Sequence, residues 1–218
     1  MSRWEIRIAL SLILVVAGVP EGAQAAQPTV VEVIAKMAVK GRAPKTGYTR
    51  DQFGTPWKDM DRNGCDTRND ILNRDLSSII YKVSSHDCVV LSGVLVDPYS
   101  GESINFLRGV STSSEVQIDH VVALLNAWQT GAFKLNLENR TAFANDPLNL
   151  LAVKGRLNSQ KGAGDAATWL PPKKSYRCAY VARQVAVKYK YGLWLTAPEK
   201  ATILKLLIPC PGQLIPAG

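Results

Sequence analysis

Val116-Gln117-Ile118-Asp119-His120-Val121-Val122, then Asn145-Asp146-Pro147-Leu148-Asn149-Leu150-Leu151, then Arg156-Leu157-Asn158-Ser159-Gln160-Lys161-Gly162: these three runs, inside the stretch 116–165, decide how the chain folds. The first alternates and is rich in β-branched residues, which places it on a strand. On a strand neighbouring side chains point to opposite faces, so Asp119 and His120 serve one site only if the strand bends or ends there. Asn149 opens a second apolar run, Leu150 to Val153, read as another strand. Gly155 breaks it, and Arg156 to Lys161 starts a helix or helical turn. Between the two strands, Leu124 to Thr130 reads as a short helix closed by Gly131, and 132–147 as a long loop. Loops of that length inside compact domains are usually functional or disordered.

Upstream, Asp61-Arg62-Asn63-Gly64-Cys65-Asp66-Thr67-Arg68-Asn69 is polar and turn-rich, and Asp70 to Leu76 reads as a short helix. Val89 to Val96 and Ile104 to Phe106 flank Asp97-Pro98-Tyr99-Ser100-Gly101, which predicts a hairpin. Residues 26–56 form a lead-in whose Val30, Val33, Ile34, Met37 and Ala38 share one helical face; its tail, Tyr48-Thr49-Arg50 and Phe53, carries no evident chemistry. Downstream, Trp169-Leu170-Pro171-Pro172 is a rigid apolar turn, and 173–177 is a basic loop suited to lie over a polyanion backbone. Cys178 to Tyr191 reads as a helix stopped by Gly192. Thr196-Ala197-Pro198-Glu199 opens a last helix as a capping box with proline near its start.

The chain begins with arginines at 3 and 7, an apolar run from Ile8 to Val19, and Ala23-Gln24-Ala25. Twelve apolar residues are too few to span a bilayer, and the pattern is that of a secretory signal peptide cleaved after Ala25. Arg3 and Arg7 balance Glu5 and Glu21, so the remainder keeps the whole net charge of +8. A basic chain outside the cell is drawn to polyanions: nucleic acid, anionic lipid or acidic wall polymers. Cys65, Cys88, Cys178 and Cys210 are even in number in an exported chain, so disulfides are expected. Three pairings are open; Cys65–Cys88 with Cys178–Cys210 is favoured because each closes a local loop. No Cys-x-x-Cys or Cys/His cluster offers a zinc site. Of the two histidines, His86 sits in a polar loop and is read as incidental.

The ordered set of Asp61-Arg62-Asn63-Gly64-Cys65-Asp66-Thr67-Arg68, Leu91-Ser92-Gly93, Ile118-Asp119-His120-Val121-Val122-Ala123-Leu124, Ala127-Trp128, Gly131-Ala132, Phe143-Ala144-Asn145-Asp146-Pro147-Leu148-Asn149-Leu150, Asn158-Ser159-Gln160-Lys161-Gly162 and Trp169-Leu170-Pro171-Pro172 resembles the HNH endonuclease superfamily. It is most similar to the bacterial secreted branch, related to the nuclease domain of certain modification-dependent restriction enzymes. A bare Asp-His pair is no signal; the set at these spacings covers roughly Thr49 to Cys210. The resemblance implies two strands and a helix clasping one divalent ion. His120 then matches the general base and Asp119 a metal ligand. Asn149 matches the middle asparagine, which steadies the loop and orients the histidine. Asn158 stands at the last H/N position, the second protein ligand. Asparagine there favours a hard ion such as Mg²⁺, with Mn²⁺ or Zn²⁺ as alternatives.

The chemistry asks for the same residue types. Phosphodiester hydrolysis needs a base for the attacking water, and a neutral imidazole serves at pH 7. A divalent ion held by a carboxylate and an amide keeps positions open for phosphate oxygens. Lys154, Arg156 and Lys161 lie close to Asn158 in sequence and are candidate phosphate contacts. The expected fold is therefore α+β: a ββα-metal core with flanking helices and a β-hairpin. Residues 1–25 are read as leader, 26–56 as a helical arm and 57–218 as the nuclease domain. The expected function is metal-dependent cleavage of DNA, and of RNA as a second substrate, with little sequence preference, by a monomer without a small-molecule cofactor or membrane insertion. The alternative is a non-catalytic basic extracellular protein that binds nucleic acid or the cell envelope.

Overall fold

A computed structural model describes Met1 and residues 27–216; apart from Met1, the expected leader lies outside the described residues. The chain runs α1 (Val30–Lys36), α2 (Thr67–Asp75), β1 (Leu76–Tyr81), β2 (Val90–Val96), β3 (Ser103–Leu107), β4 (Val116–His120), α3 (Leu124–Gln129), α4 (Leu137–Ala144), β5 (Leu150–Lys154), α5 (Gly155–Lys161), α6 (Arg177–Lys190) and α7 (Ala197–Leu206). Two antiparallel sheets result, β1-β2-β3 and β4-β5. In the second, Val116 faces Lys154 and His120 faces Leu150, so both strands run out together at His120.

The β4-β5 pair is the centre of the molecule because it is covered on both sides. Ile118, Leu150 and Ala152 pack with Ile71 and Leu72 of α2 and with Leu95 and Phe106 of the three-stranded sheet. Leu151 and Val153 pack the other way, against Val181 and Val185 of α6 and Val33 and Ile34 of α1. A strand buried on both faces reads as an unbroken apolar run, which is what Leu150 to Val153 shows. Glycine at 155 is a packing requirement: a Cβ there would stand 1.9 Å from the Ser114 carbonyl oxygen.

Both expected disulfides form, Cys65–Cys88 and Cys178–Cys210. The second ties the start of α6 to the segment after α7. The capping box of α7 is present, and its Glu199 doubles as the partner of buried Lys188, 2.6 Å away. Three expectations fail locally. The supposed loop at 132–147 contains α4, which starts because the Asn136 side chain accepts the Asn139 N–H at 2.8 Å. Its interior is too polar to show a helical stripe. Strand β1 was not foreseen, because the helix read over 70–76 stops one residue earlier and continues directly as strand. The lead-in helix ends at Lys36; Met37 turns extended, and Val39 instead bridges to Leu195.

Candidate active site

β4 ends at His120, so the alternation that should part Asp119 from His120 is relaxed where it matters. Both residues line one pocket of about 500 Å³, together with Gln117, Asn158, Tyr48, Arg50, Trp57 and Arg68. His120 Nε2 lies 2.9 Å from the Ala144 carbonyl oxygen. A carbonyl only accepts, so Nε2 carries the proton, and in the neutral ring Nδ1 is left as the base. The Trp57 ring lies nearly parallel to the imidazole, at 19° with centroids 6.3 Å apart. His120 keeps an edge open to the pocket and is otherwise enclosed. Burial pushes its pKa down to about 4; the Ala144 bond opposes this, and nearby Arg50 and Lys161 add to it. The ring is therefore neutral at pH 7.

Asp119 lies in a different setting, 4% exposed. Tyr99 Oη donates to its Oδ2 at 2.5 Å and Lys161 Nζ donates to its Oδ1 at 2.9 Å. Burial raises its pKa, against the lowering effect of Lys161 and Tyr99. The Lys161 ammonium also donates to the His120 backbone carbonyl at 2.8 Å, so α5 is fastened to the end of β4 at two points.

Asn149 is fully buried. Its Oδ1 accepts the Val122 N–H at 2.8 Å, and its Nδ2 donates to the carbonyls of Val122 and Phe143. One amide thus clamps the chain just past His120 and the residue before Ala144, whose carbonyl holds the imidazole. It is a positioning residue and touches no pocket space. Asn158 on α5 donates Nδ2 to Gln117 Oε1 at 2.8 Å, which leaves its Oδ1 as an acceptor facing the same pocket.

Residues 66–206 match the family described as the C-terminal domain of GmrSD restriction endonucleases. The chain belongs to that family. It is also 34% identical over 184 residues to a protein of Arthroderma benhamiae named an uncharacterized secreted protein, covering 84% of this chain and 85% of that one. No solved structure matches. The stretch matched to the GmrSD C-terminal domain takes in Arg68, Asp119, His120, Asn149 and Asn158. Tyr48, Arg50 and Trp57, which complete the pocket wall, lie before it.

Within this GmrSD-type domain the oxygen donors at the pocket are few. Among the described residues Asp119 is not joined by two further His, Cys, Asp or Glu side chains in a ligand group. Asp119 and Asn158 would offer one carboxylate and one amide oxygen, a set suited to an ion that keeps most of its waters; both Asp119 oxygens are already engaged by Tyr99 and Lys161, so an ion would have to share them. The basic residues expected near Asn158 are not brought to the pocket. Lys161 is 3% exposed and committed to Asp119, because an ammonium at that depth is tolerated only when paired. Lys154 pairs with Glu102 at 2.6 Å, at the far end of β5. Arg156 is exposed on α5 but is absent from the pocket lining. The cations that do line it, Arg50 and Arg68, come from the lead-in tail and from α2. Tyr48 and Arg50 were read as free of chemistry and Trp57 was not singled out; no local pattern marks the three, since only the fold brings them to the wall of the His120 pocket. Arg140 is structural, donating to the Gln52 and Leu135 carbonyls, and His86 stands exposed in the β1-β2 loop.

Proposed function

We propose that this chain is a secreted, metal-dependent endonuclease of the HNH type. It hydrolyses phosphodiester bonds in DNA, and in RNA as a second substrate, with little sequence preference, and acts as a monomer. The observation that carries the reading is the state of His120: a neutral imidazole with its Nε2 proton fixed on Ala144 and Nδ1 without a partner among the described residues, at a pocket whose wall also includes Asp119 and Asn158. Nδ1 takes the proton of the attacking water, and the Nε2 bond strengthens as the ring becomes positive. Asn149 holds the ring in register. Asp119 and Asn158 would hold a divalent ion, Mg²⁺ in first place, which supplies charge stabilisation and polarises the phosphate when bound. Arg50 and Arg68 receive phosphate oxygens flanking the scissile bond, and Trp57 offers a flat surface beside it. No helix-turn-helix or zinc finger accompanies the pocket among the described residues, which fits contact through the backbone. Secretion is supported by the two disulfides, by the signal-like opening and by the name of the Arthroderma relative.

Plasmid nicking by the purified chain, with and without Mg²⁺, tests the reading. Cleavage with Mg²⁺ that vanishes in His120→Ala while salt-sensitive DNA binding persists is expected. Binding without cleavage under any divalent ion turns the assignment toward the non-catalytic alternative.

A further inference from the structure

The segment 59–70 has a second pattern, unrelated to the pocket chemistry. Asp59-Met60-Asp61-Arg62-Asn63-Gly64-Cys65-Asp66-Thr67-Arg68-Asn69-Asp70 places oxygen-bearing side chains at the first, third, fifth, ninth and twelfth positions and glycine at the sixth. That is the register of a twelve-residue calcium loop, with aspartate where the pattern ends in glutamate. The loop leads into α2, as a calcium loop leads into its exit helix. Gly64 takes φ +90°, and its N–H donates to Asp59 Oδ2 at 3.0 Å, closing the loop between first and sixth positions.

Two observations point to a ligand that the protein itself does not supply. Asp59 Oδ1 is shielded from solvent and has no hydrogen-bond donor. Asp61 and Asp70 are drawn together across the loop with only a neutral amide between them: Asn63 Nδ2 donates to Asp61 Oδ2 and to Asp70 Oδ1, each at 3.1 Å. Among the described residues no three acidic or imidazole side chains already converge as a ligand group, and Asn63 lies between the two carboxylates. Turning that side chain over would present its oxygen to the two carboxylates, at the cost of its bonds to Asp61, Asp70 and the Cys65 N–H, which an ion would have to replace.

We infer that residues 59–70 form a Ca²⁺ site, with Asp59, Asp61, Asn63, the Cys65 carbonyl and Asp70 as ligands; Thr67 at the ninth position is buried and bonded to the Lys58 carbonyl, so that position is left to water. A hard cation with six to eight oxygen partners suits this set, and Mg²⁺, which demands a compact octahedron, suits it less. The aspartate at the twelfth position reaches less far than glutamate, so the site is of the weak extracellular kind, with Kd about 10⁻⁴ to 10⁻³ M. Its position gives it a role. The loop is bounded by Trp57, stacked on His120, and contains Arg68, and both line the pocket. The Thr67 N–H donates to the Trp57 carbonyl, and the Cys65–Cys88 bridge ties the loop to the sheet. An ion there fixes the pocket wall; this consequence, unlike the site itself, rests on the proposed nuclease reading.

The test is thermal unfolding and calorimetric titration of the full disulfide-bonded chain, first stripped with chelator. Millimolar CaCl₂ is expected to raise Tm by about 3–10 °C, and equimolar MgCl₂ by less. Asp61→Asn and Asp70→Asn remove the Ca²⁺ shift; Asp119→Asn retains it. No calcium heat and no shift in the parent chain overturn the proposal. So does a shift that survives in Asp61→Asn and Asp70→Asn, which locates the ion elsewhere. Because the readout is stability, failure of the nuclease reading leaves this result intact, and the reverse holds as well.

Discussion

Asp119 and His120 are neighbours on one strand and live in different media. On one side of the end of β4, Asp119 is sealed between Tyr99 and Lys161, its charge answered by a buried ammonium. On the other, His120 is held by a single carbonyl and a stacked indole, with its second nitrogen left for the pocket. The sealed side holds α5 to β4 and carries stability. The open side carries reactivity. A strand that continued past His120 would keep the two apart; a strand that ends there lets one pocket draw on both.

The contrast is open to attack from several directions, beginning with the largest expected effect. His120→Ala is expected to lower cleavage by about 10²–10⁴-fold, the usual contribution of a general base, while leaving Tm nearly unchanged. A large fall in Tm would mean that His120 belongs to the sealed side. Lys161→Met strands a buried carboxylate and is expected to cost about 3–5 kcal/mol in urea unfolding. The same change at Lys154, whose Glu102 partner is exposed, is expected to cost about 0–1 kcal/mol. Equal losses at the two positions would erase the distinction between buried and surface pairs.

A third test uses pH. His120 folds with its pKa depressed from the usual value to about 4, so the unfolded state binds the proton first as pH falls. The penalty is absent above the unfolded pKa of about 6.5, grows as pH drops through that window, and is complete below about 4. His120→Gln should flatten the stability profile between those limits. Cleavage should stay level through neutrality and fall only as pH approaches 4; a midpoint near 6.5 would place the ring in open water. The smallest effects are expected at the pocket rim. Arg50→Ala and Arg68→Ala should each weaken DNA binding by His120→Ala protein about tenfold and reduce the salt slope by about one. Arg156→Ala should do neither, and a larger loss at Arg156 would move the nucleic-acid path onto α5.

How much of this was readable in advance depends on how local each signal is. The order strand, strand, helix around His120, the two disulfides and the capping box of α7 each rest on spacing within a few tens of residues, and each is found. The α4 helix was missed because its start depends on one asparagine cap and its interior offers few apolar positions. That the pocket is lined by other cations than those near Asn158 in sequence has a related reason. Lys154, Arg156 and Lys161 are near Asn158 along the chain, but helix and strand directions send them to different places.

By itself the sequence determined which residues are able to do chemistry and in what order they come, because backbone periodicity, turn residues and cysteine spacing act over short range. It also carried the register of the 59–70 loop. Only the tertiary structure decided which face each side chain took: that Lys161 answers Asp119 in the interior, that Asn149 clamps two backbone segments, and that Arg50, Trp57 and Arg68 share the pocket wall with His120. Those outcomes depend on burial and on contacts between residues far apart in the chain. The free energy of a charge or an imidazole is set by what surrounds it once the chain has packed.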